Sequence, residues 1–272
     1  MRVLIVTEEN ADSFEDIQKD YDCLYSTSPH YIINKKLKIP YFYNIYAKEL
    51  IEELNFNLFN NFYSKIQGAT AIFVNDKKLN KYSEWLDLNS YWVPNCFDEK
   101  NYFFIFRKFF TPKLNIGIFL EDDSDLYSIL DKIIFAKKAN WVFHIFNNTL
   151  KNEDIVEIKD KKDVYNNCHI FLNLSKSHCF PDKNCLEAMS SGCVVLSPNY
   201  HGNNTHIIFD DIHYYRLDFL DTNVILDALR FCDKRREKLE RISKKGSLVA
   251  NKYFNSKSTK FEKLNIMHHF IK

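Results

Sequence analysis

Between Ser175 and Thr205 the chain gathers side chains suited to a phosphorylated, hydroxyl-rich ligand: Ser175, Ser177, His178, Cys179, Lys183, Asn184, Glu187, Asn203 and Thr205. A carboxylate such as Glu187 can accept two hydrogen bonds from a ribose diol. A lysine such as Lys183 offsets phosphate charge, and hydroxyl or amide groups donate to phosphate oxygens. The apolar run His169 to Leu174, a polar loop, a helix from Asn184 to Ser190 and the apolar run Cys193 to Ser197 read as strand, loop, helix, strand. Such units build parallel sheets whose ligands lie outside the carboxyl ends of the strands, and the N–H groups that open the helix suit a pyrophosphate. Other chemistries fit less well. His178 and Cys179 are sequence neighbours and so rarely face each other as base and nucleophile, and His169, His178, Cys179 and Cys185 match no common zinc spacing.

Leu186, Glu187, Ala188, Met189, Gly192, Val194 and Val195 resemble, in order and spacing, the nucleotide-binding signature of GT-B glycosyltransferases of the retaining family-4 type. Upstream, the segment Trp92-Val93-Pro94-Asn95-Cys96-Phe97-Asp98 with Phe103 resembles the Pro-Asn-Gly-Val-Asp stretch that closes the N-terminal domain in that family. The resemblance implies an α/β protein, GT-B-like, with two Rossmann-like domains whose parallel sheets face across a cleft. It implies a shortened acceptor-side domain over 1–108, a nucleotide-sugar-binding domain over 109–255, and a terminal helix over 256–272 that packs back on the N-terminal domain.

By the same resemblance, Glu187 holds the ribose, while Lys183 and the amides around Asn184 face the pyrophosphate. Ser175, Ser177, His178 and Cys179 line the donor end, and Asn203 and Thr205 sit in a loop that approaches the donor phosphates. The family's first glutamate falls on Cys179, or on His178 when Phe180-Pro181 is aligned with the family's Phe-Pro. Neither is a carboxylate. Tyr46 stands where relatives carry a histidine, which leaves His30, with His178 and Cys179, as the catalytic candidates. The Gly-rich loop after the first strand is absent, because the first glycine is Gly68, and the Arg and Lys-Gly pair that grips the donor diphosphate in the family has no clear equivalent after Gly117, where the chain reads IFLEDDSDLYSILDKI.

Two functions stay open on these residues. One is a glycosyltransferase of hexosyltransferase type that moves a sugar from a nucleotide-sugar donor to a glycan, lipid or other cell-surface acceptor. The other is a catalytically inactive binding or assembly subunit with a degenerate donor site. A third reading, a dinucleotide-dependent oxidoreductase, is poorly supported, since no G-x-G-x-x-G follows the first strand. The nucleotide sugar would be a substrate, and neither a cofactor nor a metal is expected: Glu121, Asp122, Asp123 and Asp125 read as partners of the helix dipole that follows them. The formal net charge of +1 offers no field for nucleic acid, and Lys234, Arg235 and Arg236 read as the solvated face of a helix. Seven cysteines without a C-x-x-C pair suit a reducing compartment. No signal peptide or membrane span is recognisable, so a cytoplasmic location is expected, with peripheral membrane association and homo- or hetero-oligomerisation left open.

The elements that must hold this constellation can be laid along the chain. Strands are predicted at Val3 to Val6, Tyr21 to Ser26, Pro40 to Ile45, Ala69 to Val74 and Tyr91 to Val93, with helices at Ala47 to Gln67 and Lys77 to Leu86. Asp98 to Pro112 reads as a connection whose five phenylalanines pack between domains. Strands follow at Leu114 to Leu120, Trp141 to Phe146, Ile155 to Ile158 and Ile212 to Tyr215. Helices are predicted at Ser124 to Lys137, Lys159 to Asn166, Asp221 to Phe231, Lys234 to Tyr253 and Ser258 to Phe270.

Overall fold

The computed structural model describes residues 1–6, 18–26, 37, 39–45, 69–75, 89–119, 124–146, 155–175, 180–198 and 207–271. The helices expected at 47–67 and 77–86 lie outside these residues. The chain forms two compact units, one of 1–94 with 257–272, the other of 95–256. The first division falls at Pro94, earlier than the expected 108. Phe97 explains the difference: its N–H donates to the Phe254 carbonyl (3.1 Å), its carbonyl accepts from Ser256 (3.0 Å), and its ring is buried in the second unit.

The first unit holds a parallel sheet of β1 (Val3–Val6), β2 (Cys23–Ser26), β3 (Tyr41–Ile45), β4 (Ala71–Val74) and β5 (Ser90–Trp92), in that order across the sheet. Every residue of β4 is buried, as a parallel strand covered on both faces requires. The terminal helix, α6 (Ser256–Ile271), puts Met267 among Cys23, Phe42, Ala71 and Phe73. Lys263 of the same helix donates to the Tyr25 hydroxyl (2.8 Å) and to Asn44 Oδ1 (3.0 Å), which ties the helix to two neighbouring strands.

The second unit holds a six-stranded parallel sheet of β6 (Leu114–Phe119), β7 (Trp141–Phe146), β8 (Ile155–Ile158), β9 (Ile170–Leu172), β10 (Val194–Pro198) and β11 (Tyr215–Leu217). Its order is β11-β10-β9-β6-β7-β8. The chain therefore builds one half outward from β6, then returns to build the other half from β9. This reversal is the doubly wound arrangement, and it opens a crevice where the carboxyl ends of β6 and β9 part. Helices α1 (Ser124–Phe135), α2 (Lys161–Asn167), α3 (Lys183–Ser190), α4 (Thr222–Lys234) and α5 (Arg236–Tyr253) complete the unit. Gly117 on β6 lets α2 approach closely, since a Cβ there would lie 2.5 Å from Val164 Cγ1.

Two expectations need correction. The last strand is Tyr215–Leu217 and not Ile212 to Tyr215, because Asp211 turns the chain with φ 63° and the Asp210 carboxylate accepts the Arg216 N–H at 2.8 Å. The phenylalanines of the connection do not all bury: Phe109 joins the second unit's core, whereas Phe103, Phe104, Phe106 and Phe110 are 65%, 41%, 64% and 66% exposed. Arg107 fixes this segment from inside. Its buried guanidinium donates to the carbonyls of Asn166 (3.0 Å), Ser191 (2.8 Å), Gly192 (3.1 Å) and Tyr165. It thus serves the carboxyl ends of α2 and α3, where backbone acceptors have no helical partner. Among the described residues no helix is long and apolar enough to cross a membrane.

Candidate functional site

The loop and helix after β9 stand at the reversal of strand order. Asn173 follows the strand and ties together described residues on either side of this loop: its amide donates to Asp182 Oδ2 (3.0 Å) and Ser197 Oγ (3.0 Å), and its Oδ1 accepts the Ser175 N–H (3.1 Å). Asp182 is the N-cap of α3 and accepts the Cys185 N–H at 2.7 Å. A carboxylate at this place stabilises the helix through its dipole. It also claims one of the amides expected to meet a pyrophosphate, and a phosphate seated there would face a like charge.

Glu187 lies one turn into α3 with a side chain only 2% exposed. Its Oε2 accepts the Tyr165 hydroxyl (3.1 Å) and pairs with Lys161 Nζ (2.7 Å), while Lys183 Nζ stands 4.0 Å from Oε1. Lys161 is itself half-buried. It donates to Asn184 Oδ1 at 2.6 Å and lies over the rings of Phe119 (5.2 Å) and Tyr165 (5.9 Å). Phe119 ends β6, so this cluster joins the two strands that part at the switch point. Burial first, and the Glu187 charge second, hold the Tyr165 phenol far above its usual range. The same causes, with Asp160, push Tyr102 up to about 12. Both phenols therefore stay protonated and can donate to the carboxylate.

Four of the expected site residues are described here, and their surroundings differ. Glu187 and Asn184 meet through Lys161; Lys183 is exposed beside them; Ser175 belongs to the Asn173 clamp. His30, Ser177, His178, Cys179, Asn203 and Thr205 lie outside the described residues. The sequence did not single out Lys161, Tyr165, Tyr102, Asn173 or Asp182. Of these only Asp182 carried a local signal, a capping residue just before a helix. The two motifs singled out in the sequence do meet: the Asn95 side-chain amide donates to the Pro181 carbonyl at 3.2 Å. Two members of the unlikely zinc set are engaged elsewhere. His169 Nδ1 accepts the Asn115 N–H at 3.0 Å, and Cys185 is buried with its thiol raised well above the usual value, chiefly by burial. Among the described residues no group of three or more His, Cys, Asp or Glu could hold a metal ion.

No protein-family model and no curated protein matches the sequence. Solved structures match the fold. Anabaena HepE in complex with UDP superposes with a TM-score of 0.76 at 10% identity, covering 95% of this chain and 82% of that one. Sucrose-phosphate synthase from Thermosynechococcus elongatus gives 0.72 at 10% identity over 95% and 76% of the two chains. TarM of S. aureus gives 0.71 at 13% identity over 94% and 57%. At such identities the likeness is one of fold.

Proposed function

We propose that this chain, which has the GT-B fold of those structures, binds a nucleotide-sugar donor at the β9–α3 switch point and transfers its sugar to a glycan, lipid or other cell-surface acceptor. The observation that carries the reading is Glu187, a carboxylate held beneath the crevice of a doubly wound sheet, one turn into the helix where a ribose diol would seek an acceptor. Lys183, exposed one turn before it on the same helix face, is the cation to oppose the departing diphosphate. Ser175, Asn184, Ser177, Asn203 and Thr205 supply donors of suitable type. His30, His178 and Cys179 are the candidates for contact at the reacting sugar. Rate enhancement would come from positioning and from stabilising the leaving diphosphate.

One observation favours a second reading, a binding or assembly subunit that keeps the shell of the fold. The carboxylate is already met by Lys161 and Tyr165, and one of the α3 amides, that of Cys185, is already capped by Asp182. Both arrangements fill from within the chain the places a donor would use.

A thermal-shift screen with UDP, GDP, ADP, CMP and their sugars separates the two. A nucleotide at ~100 times its dissociation constant should stabilise the protein by about 2.7 kcal/mol. The transferase reading requires such a shift for one nucleotide and its loss in Glu187→Gln. Silence across all the nucleotides overturns it and leaves the subunit reading.

A further inference from the structure

The segment that carries the exposed phenylalanines runs beside α5, the most basic of the described helices of the second unit. Between Lys234 and Lys252 the sequence has eight Lys and Arg against two Glu. The two elements are stitched together: Arg236 donates to the Phe109 carbonyl (3.3 Å), and Lys244 Nζ lies 5.6 Å above the Phe106 ring. Phe110 shares a hollow of about 620 Å³ with Lys234, Arg235, Lys238 and Arg241, whose charges outnumber the single carboxylate in the lining, Glu237. One turn beyond Lys244, Leu248 is 70% exposed.

The segment alternates. Arg107 and Phe109 turn inward, while Phe106, Lys108 and Phe110 turn out, with Phe103 and Phe104 before them. Four phenylalanines are exposed within the eight residues from Phe103 to Phe110, a local density of apolar surface where single exposed side chains would be unremarkable. Its flank is cationic, with Lys108, Arg241 and Lys244 all exposed. Phenylalanine offers no hydrogen-bonding group to a polar partner, whereas hydrocarbon takes it freely. Apolar side chains bordered by Lys and Arg are the chemistry of a protein that rests on an anionic lipid surface.

We propose that this face, Phe103 to Phe110 with the outer stripe of α5, docks on the surface of a bilayer rich in anionic phospholipid. The phenylalanines enter the acyl boundary, and the hollow around Phe110 receives headgroup phosphates on Lys234, Arg235 and Arg241. The inference does not depend on donor binding, since none of Glu187, Lys183 and Lys161 belongs to this face.

Flotation of the full chain with vesicles tests it, using phosphatidylcholine alone and phosphatidylcholine mixed with phosphatidylglycerol. The protein should float with the mixed vesicles only, and less as salt rises. Each buried phenylalanine is expected to strengthen binding about tenfold and each cation about fivefold. Phe103→Ser with Phe106→Ser and Phe110→Ser, and separately Lys108→Glu with Arg241→Glu, should each abolish flotation while the melting temperature stays within a few degrees. Absence of binding by the parent chain overturns the proposal, as does unchanged binding by the serine variant. So does sedimentation showing that the parent self-associates through this face, with the serine variant monomeric and neither floating.

Discussion

Replacing Lys161 by Met would leave the Glu187 carboxylate, 2% exposed, without its closest cation. Breaking a buried ion pair from one side typically costs about 3–5 kcal/mol, because the remaining charge stays out of water. Here Lys161 is 29% exposed and Lys183 remains 4.0 Å from the other oxygen, so water and a second cation relieve part of the penalty. A loss of about 2–3 kcal/mol is expected for Lys161→Met. In the background Glu187→Gln the carboxylate charge is gone while an acceptor for Tyr165 is kept. The same change should then cost about 1 kcal/mol, the contribution of the cation over the Phe119 and Tyr165 rings. Urea unfolding of the four proteins, followed by circular dichroism, measures the difference as a coupling energy of at least about 1 kcal/mol. Equal costs in both backgrounds would refute the view that the pair shares a dehydrated charge, and would mean that Lys161 merely rests against the site.

Other consequences follow from the same second unit. Arg107→Gln removes a guanidinium that serves four backbone carbonyls and should destabilise by about 3 kcal/mol or more, read from the urea midpoint; Arg107→Lys, with a single ammonium, should recover only part. Burial first, then the charges of Arg236 and Arg107, bring His169 down to about 4. The unfolded chain takes its proton near 6.5, so between those values it binds more protons than the folded state. Stability from this group is intact above that range and falls as pH drops through it, by up to about 3 kcal/mol, and His169→Gln should flatten that part of the stability profile. On α5, Gly246→Ala would put a methyl group 2.6 Å from the His213 carbonyl oxygen, and should lower the melting temperature by several degrees in a scanning measurement.

Trp141–Phe146 and Ile155–Ile158 fall where the sequence predicts them, since short apolar runs bounded by polar turns leave a parallel strand little choice of ends. The error at β11 has the opposite origin. Ile212, His213 and Tyr214 look like a strand, but Asp211 occupies a left-handed turn and the hydrogen-bonded edge begins only at Tyr215. Glu187 was legible because its helix carries a dense motif. Lys161 and Tyr165 were not, because they reach the carboxylate from another helix, with no fixed spacing to betray them. Arg107 was hidden more completely: its acceptors are main-chain carbonyls, which every residue has and no side-chain pattern records. Asp182 could have been read as a cap, yet capping and anion binding favour the same place on a helix and compete for it.

The clamp that Arg107 and Phe97 place on the second unit decides where the chain can be cut. A fragment begun at 109 would forfeit the guanidinium that closes two helices and the bridge from Phe97 to Asn255, and should be recovered unfolded or aggregated. One spanning 95–256 keeps both and is the shorter piece expected to fold alone, which makes it the natural vehicle for testing whether nucleotide recognition resides in that half by itself.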